Sequence, residues 1–160
     1  IGCDATNEDA VKRVYEIKKR IDSKALIVLV DKPVKVEFYV REVPEIAWNL
    51  IDVADKPLTI VYPNARNLAT NVLADDGSVG IRITQETFSR KLCERFRKAI
   101  VSTSANISGQ PAPTNFNEIS DEIKQAVDYV VTYRQDDPYQ PSPSSVIWIG
   151  EGGVIKILRP

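Results

Sequence analysis

The sequence predicts an α/β chain built on a sheet of mixed direction and organised as one domain over residues 1–160. Two observations predict it. Short apolar runs of strand length alternate with amphipathic stretches of helix length along much of the chain. A pair of β-rich segments around Gly150-Glu151-Gly152-Gly153 then closes it as a hairpin.

The elements follow in order. Thr6 with Asp9 reads as a capping box, and Ala10, Val11, Val14, Tyr15 and Ile17 at near-helical spacing make 7–19 an amphipathic helix. Ala25–Val30 is uninterruptedly apolar, as in a strand covered on both faces. Pro44 opens a second helix with an apolar stripe of Ile46, Ala47, Leu50, Ile51 and Ala54. Leu58–Tyr62 is β-rich and stopped by Pro63. Val79–Thr84 alternates, which puts Arg82 on the face opposite Ile81 and Ile83. Phe88, Leu92, Cys93 and Phe96 mark a helix, and Ala99–Ser102 a short strand. Asn117 is expected to cap a helix carrying Ile119, Ile123 and Val127, leading to a strand over Tyr129–Tyr133. Gln135–Ser145 is a long Pro-, Asp- and Ser-rich loop. Ser145–Ile149 and Val154–Leu158 form the closing hairpin.

Composition narrows the chemistry. There is no histidine, which excludes Ser-His-Asp and Cys-His catalysis and His-ligated zinc within this chain. Cys3 and Cys93 stand apart in no metal-ligand pattern and read as two free thiols of a cytoplasmic protein. A net charge of −1 argues against broad charge-driven nucleic-acid binding but leaves room for a local basic groove. No apolar run approaches membrane-spanning length.

Clusters of residues that can hold an anion remain. Lys18-Lys19-Arg20 with Lys24 ends a helix ahead of a strand, where cations also suit the helix dipole. Alanine is tolerated at such a helix end, so Lys18 and Arg20 are expected to matter for turnover more than for folding. Ser102-Thr103-Ser104-Ala105-Asn106 follows a strand, as an anion cradle or as ordinary turn formers. Ser78 and Arg82 share a strand face about 13 Å apart, from a rise of roughly 3.3 Å per residue. Ser144-Ser145 and the terminal Leu158-Arg159-Pro160 read alone as loop and tail. Together they supply cations and neutral donors and no evident nucleophile, which suits the handling of phosphates.

These strings carry a resemblance. Ile17-Lys18-Lys19-Arg20 is similar to the K-x-R element of the YrdC-like, threonylcarbamoyl-AMP synthase family, and Ser102–Asn106 with Ser108-Gly109-Gln110-Pro111 resembles its S-x-S-A-N and S-G-x-P signature. Gly77–Thr84, Lys56-Pro57-Leu58-Thr59, Ser144-Ser145 and Leu158-Arg159-Pro160 resemble further family elements in family order. Ala54-Asp55-Lys56-Pro57 departs from the usual W-P-G-P turn, and Ser78 and Ser145 stand where the family has Thr. The resemblance implies a twisted, mixed, open α/β sheet with flanking helices and a positively lined cavity. It implies condensation of L-threonine, bicarbonate and ATP to threonylcarbamoyl-AMP and pyrophosphate, with Mg²⁺ arriving on ATP. The product would pass to partner proteins that modify adenosine 37 of tRNA, with tRNA or double-stranded RNA as a further partner. By motif position, Arg20, Lys24, Ser78, Asn106, Thr114 and Arg159 fall on the ATP side. Arg82, Ser104 and Ser145 fall on the threonine side, and Lys18 with Arg20 at the reacting centre. The alternative is a non-catalytic nucleotide- or RNA-binding member of the same fold family. A carbamoyl-transfer domain of a hydrogenase-maturation protein is disfavoured, because no zinc-finger or acylphosphatase segment flanks the chain. Gly2-Cys3-Asp4-Ala5 resembles the end of a longer family segment. With Ile1 in place of an initiator and no Met anywhere, this predicts a preceding first strand and missing Met residues.

Overall fold

Six strands make one mixed sheet in the computed structural model, which describes residues 1–20, 25–138 and 142–160. They are β1 (Ile27–Val30), β2 (Leu58–Tyr62), β3 (Val79–Ile83), β4 (Ile100–Ser102), β5 (Ser145–Ile149) and β6 (Ile155–Arg159), in the order β4-β1-β3-β2-β5-β6. The β1–β3 and β2–β5 pairs are parallel; β1–β4, β2–β3 and β5–β6 are antiparallel. The helices are α1 (Glu8–Lys18), α2 (Val34–Tyr39), α3 (Glu45–Val53), α4 (Thr87–Phe96) and α5 (Asp121–Ala126). Among the described residues no helix is long and apolar enough to cross a membrane.

The register separates two faces. Val28, Val30, Ile60, Tyr62, Val79, Ile81, Val101 and Ile149 point one way and are buried, in one cluster with Val11, Val14 and Tyr15 of α1, Val36 and Tyr39 of α2, and Ala47 of α3. Burial of such side chains stabilises by about 1.5–3 kcal/mol each. The other face carries Ser102, Ile27, Gly80 and Val61 in one cross-strand row and Leu29, Arg82, Thr59 and Val146 in the next. We call this the open face, and its strand positions include no Asp or Glu.

Several local readings are corrected. Asn7, not Thr6, caps α1: its side chain accepts from Ala10 N at 3.1 Å, while Thr6 donates to Asp4. Ser120, not Asn117, caps α5; Asn115 caps a preceding 3₁₀ turn. Helix α2 went unread because Val34-Lys35-Val36-Glu37-Phe38-Tyr39 is rich in β-branched and aromatic residues. Its buried Val36 and Tyr39, three residues apart, anchor one helical face, and Tyr39 Oη accepts from Ala99 N at 2.7 Å. Tyr129–Tyr133 is no strand. One flank of β4 is already taken by the chain's opening residues, with Ala5 N donating to Ala99 O at 3.0 Å and Val101 N to Cys3 O at 2.9 Å. Tyr133 instead stacks on Phe88 of α4 at 5.1 Å. Cys3 and Cys93 are free thiols, and burial pushes both up to about 11.

Candidate active site

Helix α1 ends in a way that sorts its cations. Lys19 takes a left-handed conformation (φ 49°) and its N–H returns to Glu16 O, so the chain reverses there and Arg20 N donates to Tyr15 O at 3.0 Å. Lys18 is thereby turned inward and Lys19 outward, to an exposed ion pair with Glu122. Arg20 lies 5.9 Å over the Tyr15 ring and donates to Ala25 O at 3.0 Å, just before β1. Lys24 lies outside the described residues.

Lys18 is 2% exposed, which corrects the expectation of a tolerant helix end. Its ammonium donates to Ser104 O at 2.6 Å and Asn106 O at 2.8 Å, and more weakly to Asn106 Oδ1 at 3.4 Å. Its own carbonyl accepts from Ser108 N at 2.8 Å. The loop after β4 is thus clasped to the end of α1. Burial, aided by the Arg20 charge, lowers Lys18 from 10.5 to about 8. Asn106 completes the clasp, donating its amide to Gln110 O at 2.8 Å and Ile107 O at 3.1 Å. Its side chain is therefore a brace of the loop, while the exposed Ser104 hydroxyl remains available at the surface.

The second half of the site lies across β3, β2, β5 and β6. Arg82 is half-buried on the open face, and burial together with the nearby Arg159 charge lowers its pKa. No carboxylate pairs with either guanidinium among the described residues. Arg159 donates from Nε to Ser144 O at 2.8 Å and from Nη2 to Ser144 Oγ at 3.3 Å. Ser144 Oγ is in turn 2.8 Å from Thr59 Oγ1. Neighbouring cations without an acid between them form a place where an anion is favoured.

The structure distributes the sequence-predicted residues unevenly. It joins Lys18, Ser104 and Asn106 directly and sets Arg20 beside them, while Arg82 lies within β3 and Ser78 falls just before that strand begins at Val79. Ser78 is 5% exposed. Ser145 pairs with Leu58 on the side away from Arg82, and it is Ser144 that reaches the open face. Thr114 donates its hydroxyl to Glu118 at 3.0 Å. The pairing of Thr59 with Ser144 is not apparent in the sequence, although Thr59 ends the Lys56-Pro57-Leu58-Thr59 string. A hollow of about 680 Å³ adjoins this region at Ser102 and Ala105 but is walled by apolar groups such as Val14, Ile17, Leu29, Leu92, Ile100 and Ile123. Arg13, Lys124, Asp4 and Asp128 also line it, whereas Lys18, Arg20, Arg82 and Arg159 do not, although Leu29 of its wall is the cross-strand neighbour of Arg82.

Fold and site together define an α/β protein with an acid-free, cation-bearing open sheet face. The chain belongs to the Sua5, YciO and YrdC family, whose model, described as telomere recombination, matches residues 1–160. A protein of Methanocaldococcus jannaschii is 35% identical over 158 residues, 98% of this chain and 72% of its own. The threonylcarbamoyl-AMP synthase of Pseudoalteromonas translucida is 30% identical over 145 residues, 89% of this chain and 78% of that one. Among solved structures, Sua5 of Pyrococcus abyssi complexed with L-threonine superposes with a TM-score of 0.81 at 28% identity, over 99% of this chain and 46% of that one. This chain thus spans about half of that longer protein.

Proposed function

We propose that the chain is an L-threonylcarbamoyladenylate synthase, a nucleotidyltransferase acting on ATP, L-threonine and bicarbonate. The observation that carries this reading is the convergence of Lys18 with the distant Ser104–Asn106 loop, beside an open face whose Arg82 and Arg159 have no acidic partner among the described residues. The name of the Pseudoalteromonas relative and the threonine complex of the Pyrococcus protein support it. Threonine and bicarbonate give a carbamate and water. A carbamate oxygen then forms a bond to the α-phosphorus of ATP as the bond to the bridging β-phosphate oxygen breaks, and pyrophosphate leaves.

This chain contributes position and charge. Arg20, Ser78 and Arg159 serve the nucleotide, as does Lys24 by motif, while Asn106 acts on that side by bracing the loop. Arg82 clamps the threonine carboxylate, with Ser104 and, on the geometry, Ser144 rather than Ser145 nearby. Lys18 supports the reacting centre by fixing the carbonyls of the Ser104–Asn106 loop. Thr114, engaged with Glu118, is left out of this set. Mg²⁺ is taken to enter as part of the nucleotide substrate, because it neutralises a triphosphate and binds chiefly through the phosphates. The product goes to cytoplasmic partner proteins that modify tRNA. Mass spectrometry with ¹³C-bicarbonate tests the reaction: label in a threonine-containing adenylate is the expected result, and an adenylate without label would refute it.

A further inference from the structure

Thr59 is 0% exposed in the interior strand β2, between β3 and β5. A valine would fill the same space without a polar atom to satisfy, so a buried hydroxyl there calls for a reason. Its orientation supplies one. A Cβ added to Gly80 would meet Thr59 Cγ2 at 3.2 Å, so the methyl group points toward β3 and occupies room that only glycine leaves. The hydroxyl is directed instead to Ser144 Oγ at 2.8 Å, on the β5 side. Ser144 is itself 2% exposed and is the acceptor through which Arg159 is held, at its carbonyl and its hydroxyl. Thr59 is also the direct cross-strand neighbour of Arg82.

We propose that Thr59 is a positioning residue that acts through Ser144 to hold the Arg159 guanidinium beside Arg82, and so sets the spacing of the cations that receive the nucleotide and its acyl partner. The proposal rests on the synthase reading for what those cations bind. In the chain Thr59–Ser144–Arg159, one hydroxyl proton lies between Thr59 and Ser144, and the remaining lone pair of Ser144 takes the Arg159 N–H. Removing the Thr59 hydroxyl frees Ser144 to rotate, and Arg159 loses the fixed acceptor at its Nη2. Arg82 keeps its strand position, so the two guanidinium groups no longer share a defined separation.

The test is a double-mutant cycle of Thr59→Val and Arg159→Lys, with Thr59→Ser as the conservative control. Melting temperatures are measured for each variant alongside apparent KM and kcat for pyrophosphate release. Thr59→Val is expected to raise the apparent KM for ATP roughly fivefold with kcat within about twofold, the scale of one neutral hydrogen bond. Thr59→Ser restores the wild-type KM, and the double variant is no worse than Arg159→Lys alone. The proposal is overturned if the KM effects of the two substitutions multiply, if Thr59→Ser fails to restore, or if Thr59→Val lowers the melting temperature while leaving KM unchanged. Calorimetric binding of a non-hydrolysable ATP analogue runs the same cycle without turnover. A wild-type chain that binds the analogue but releases no pyrophosphate sinks the synthase reading, and the cycle of binding constants still decides the role of Thr59.

Discussion

The two halves of the site hold their cations in opposite ways. At the end of α1, Lys18 is buried and spends its ammonium on two backbone carbonyls, so its charge builds the site. Across β3 and β6, Arg82 and Arg159 stand near each other and pair with no carboxylate among the described residues, which leaves their charge for the proposed ligand. One half is finished before substrate arrives, and the other is completed by it. Substitutions should therefore separate into those that move stability and turnover together and those that move a substrate requirement alone.

The largest effect is expected at the ligand-completed half. Arg82→Gln should raise the threonine requirement roughly 100-fold while changing the ATP requirement far less, since a charge-assisted clamp contributes about 1.5–3 kcal/mol. Steady-state kinetics with each substrate varied in turn measures the split, and equal losses for both would break the division. At the preformed half, Lys18→Met should lower turnover some tenfold or more and destabilise the fold by about 2 kcal/mol, because two carbonyls lose their donor. For a chain of this size that shifts the melting temperature by about 4–8 °C.

The same residue predicts a pH signature. The folded state releases the Lys18 proton near 8 and the unfolded chain near 10.5, so the unfolded chain binds more protons between those values. Wild-type stability should thus gain a favourable contribution as pH rises from about 8 to 10.5, and lose it as pH falls back through about 8. Denaturant unfolding of wild type and Lys18→Met across that range measures it, and identical profiles would contradict the buried-ammonium account.

Asn106→Ala comes next. Its amide braces Gln110 and Ile107 carbonyls, so activity and melting temperature should fall together, by about tenfold and a few degrees. A weakened ATP requirement in a protein of unchanged stability would instead make Asn106 a direct nucleotide contact. The smallest effect is expected for Ser145→Ala. Its side chain faces away from Arg82, and kcat/KM for threonine should stay within about twofold of wild type, against a clear loss for Ser144→Ala.

The sequence made the sheet legible because β1, β2, β3 and the β5–β6 hairpin are apolar or alternating runs bounded by turn residues. It misread Tyr129–Tyr133, where β-propensity was present but the adjoining flank of β4 was occupied by Ile1–Ala5. It missed α2, where packing overrides β-branched side chains. The residues of the site were visible as motifs, but their roles depended on direction. A left-handed Lys19 decides that Lys18 goes inward, and strand register decides between Ser144 and Ser145. Neither is written in residue type. Thr59 was hidden for the same reason, since a threonine in a strand looks like a packing residue until its hydroxyl is seen to have a buried partner.

On the proposed reading, this cation-bearing face assembles threonine, bicarbonate and ATP into one reaction. Pyrophosphate release by the purified chain, measured with each of the three substrates omitted in turn, tests it most directly. Release is expected only when all three are present, with near-background rates when threonine or bicarbonate is withheld. Release that is indifferent to threonine and bicarbonate, or nucleotide binding with no release at all, would contradict it and favour a non-catalytic nucleotide-binding role.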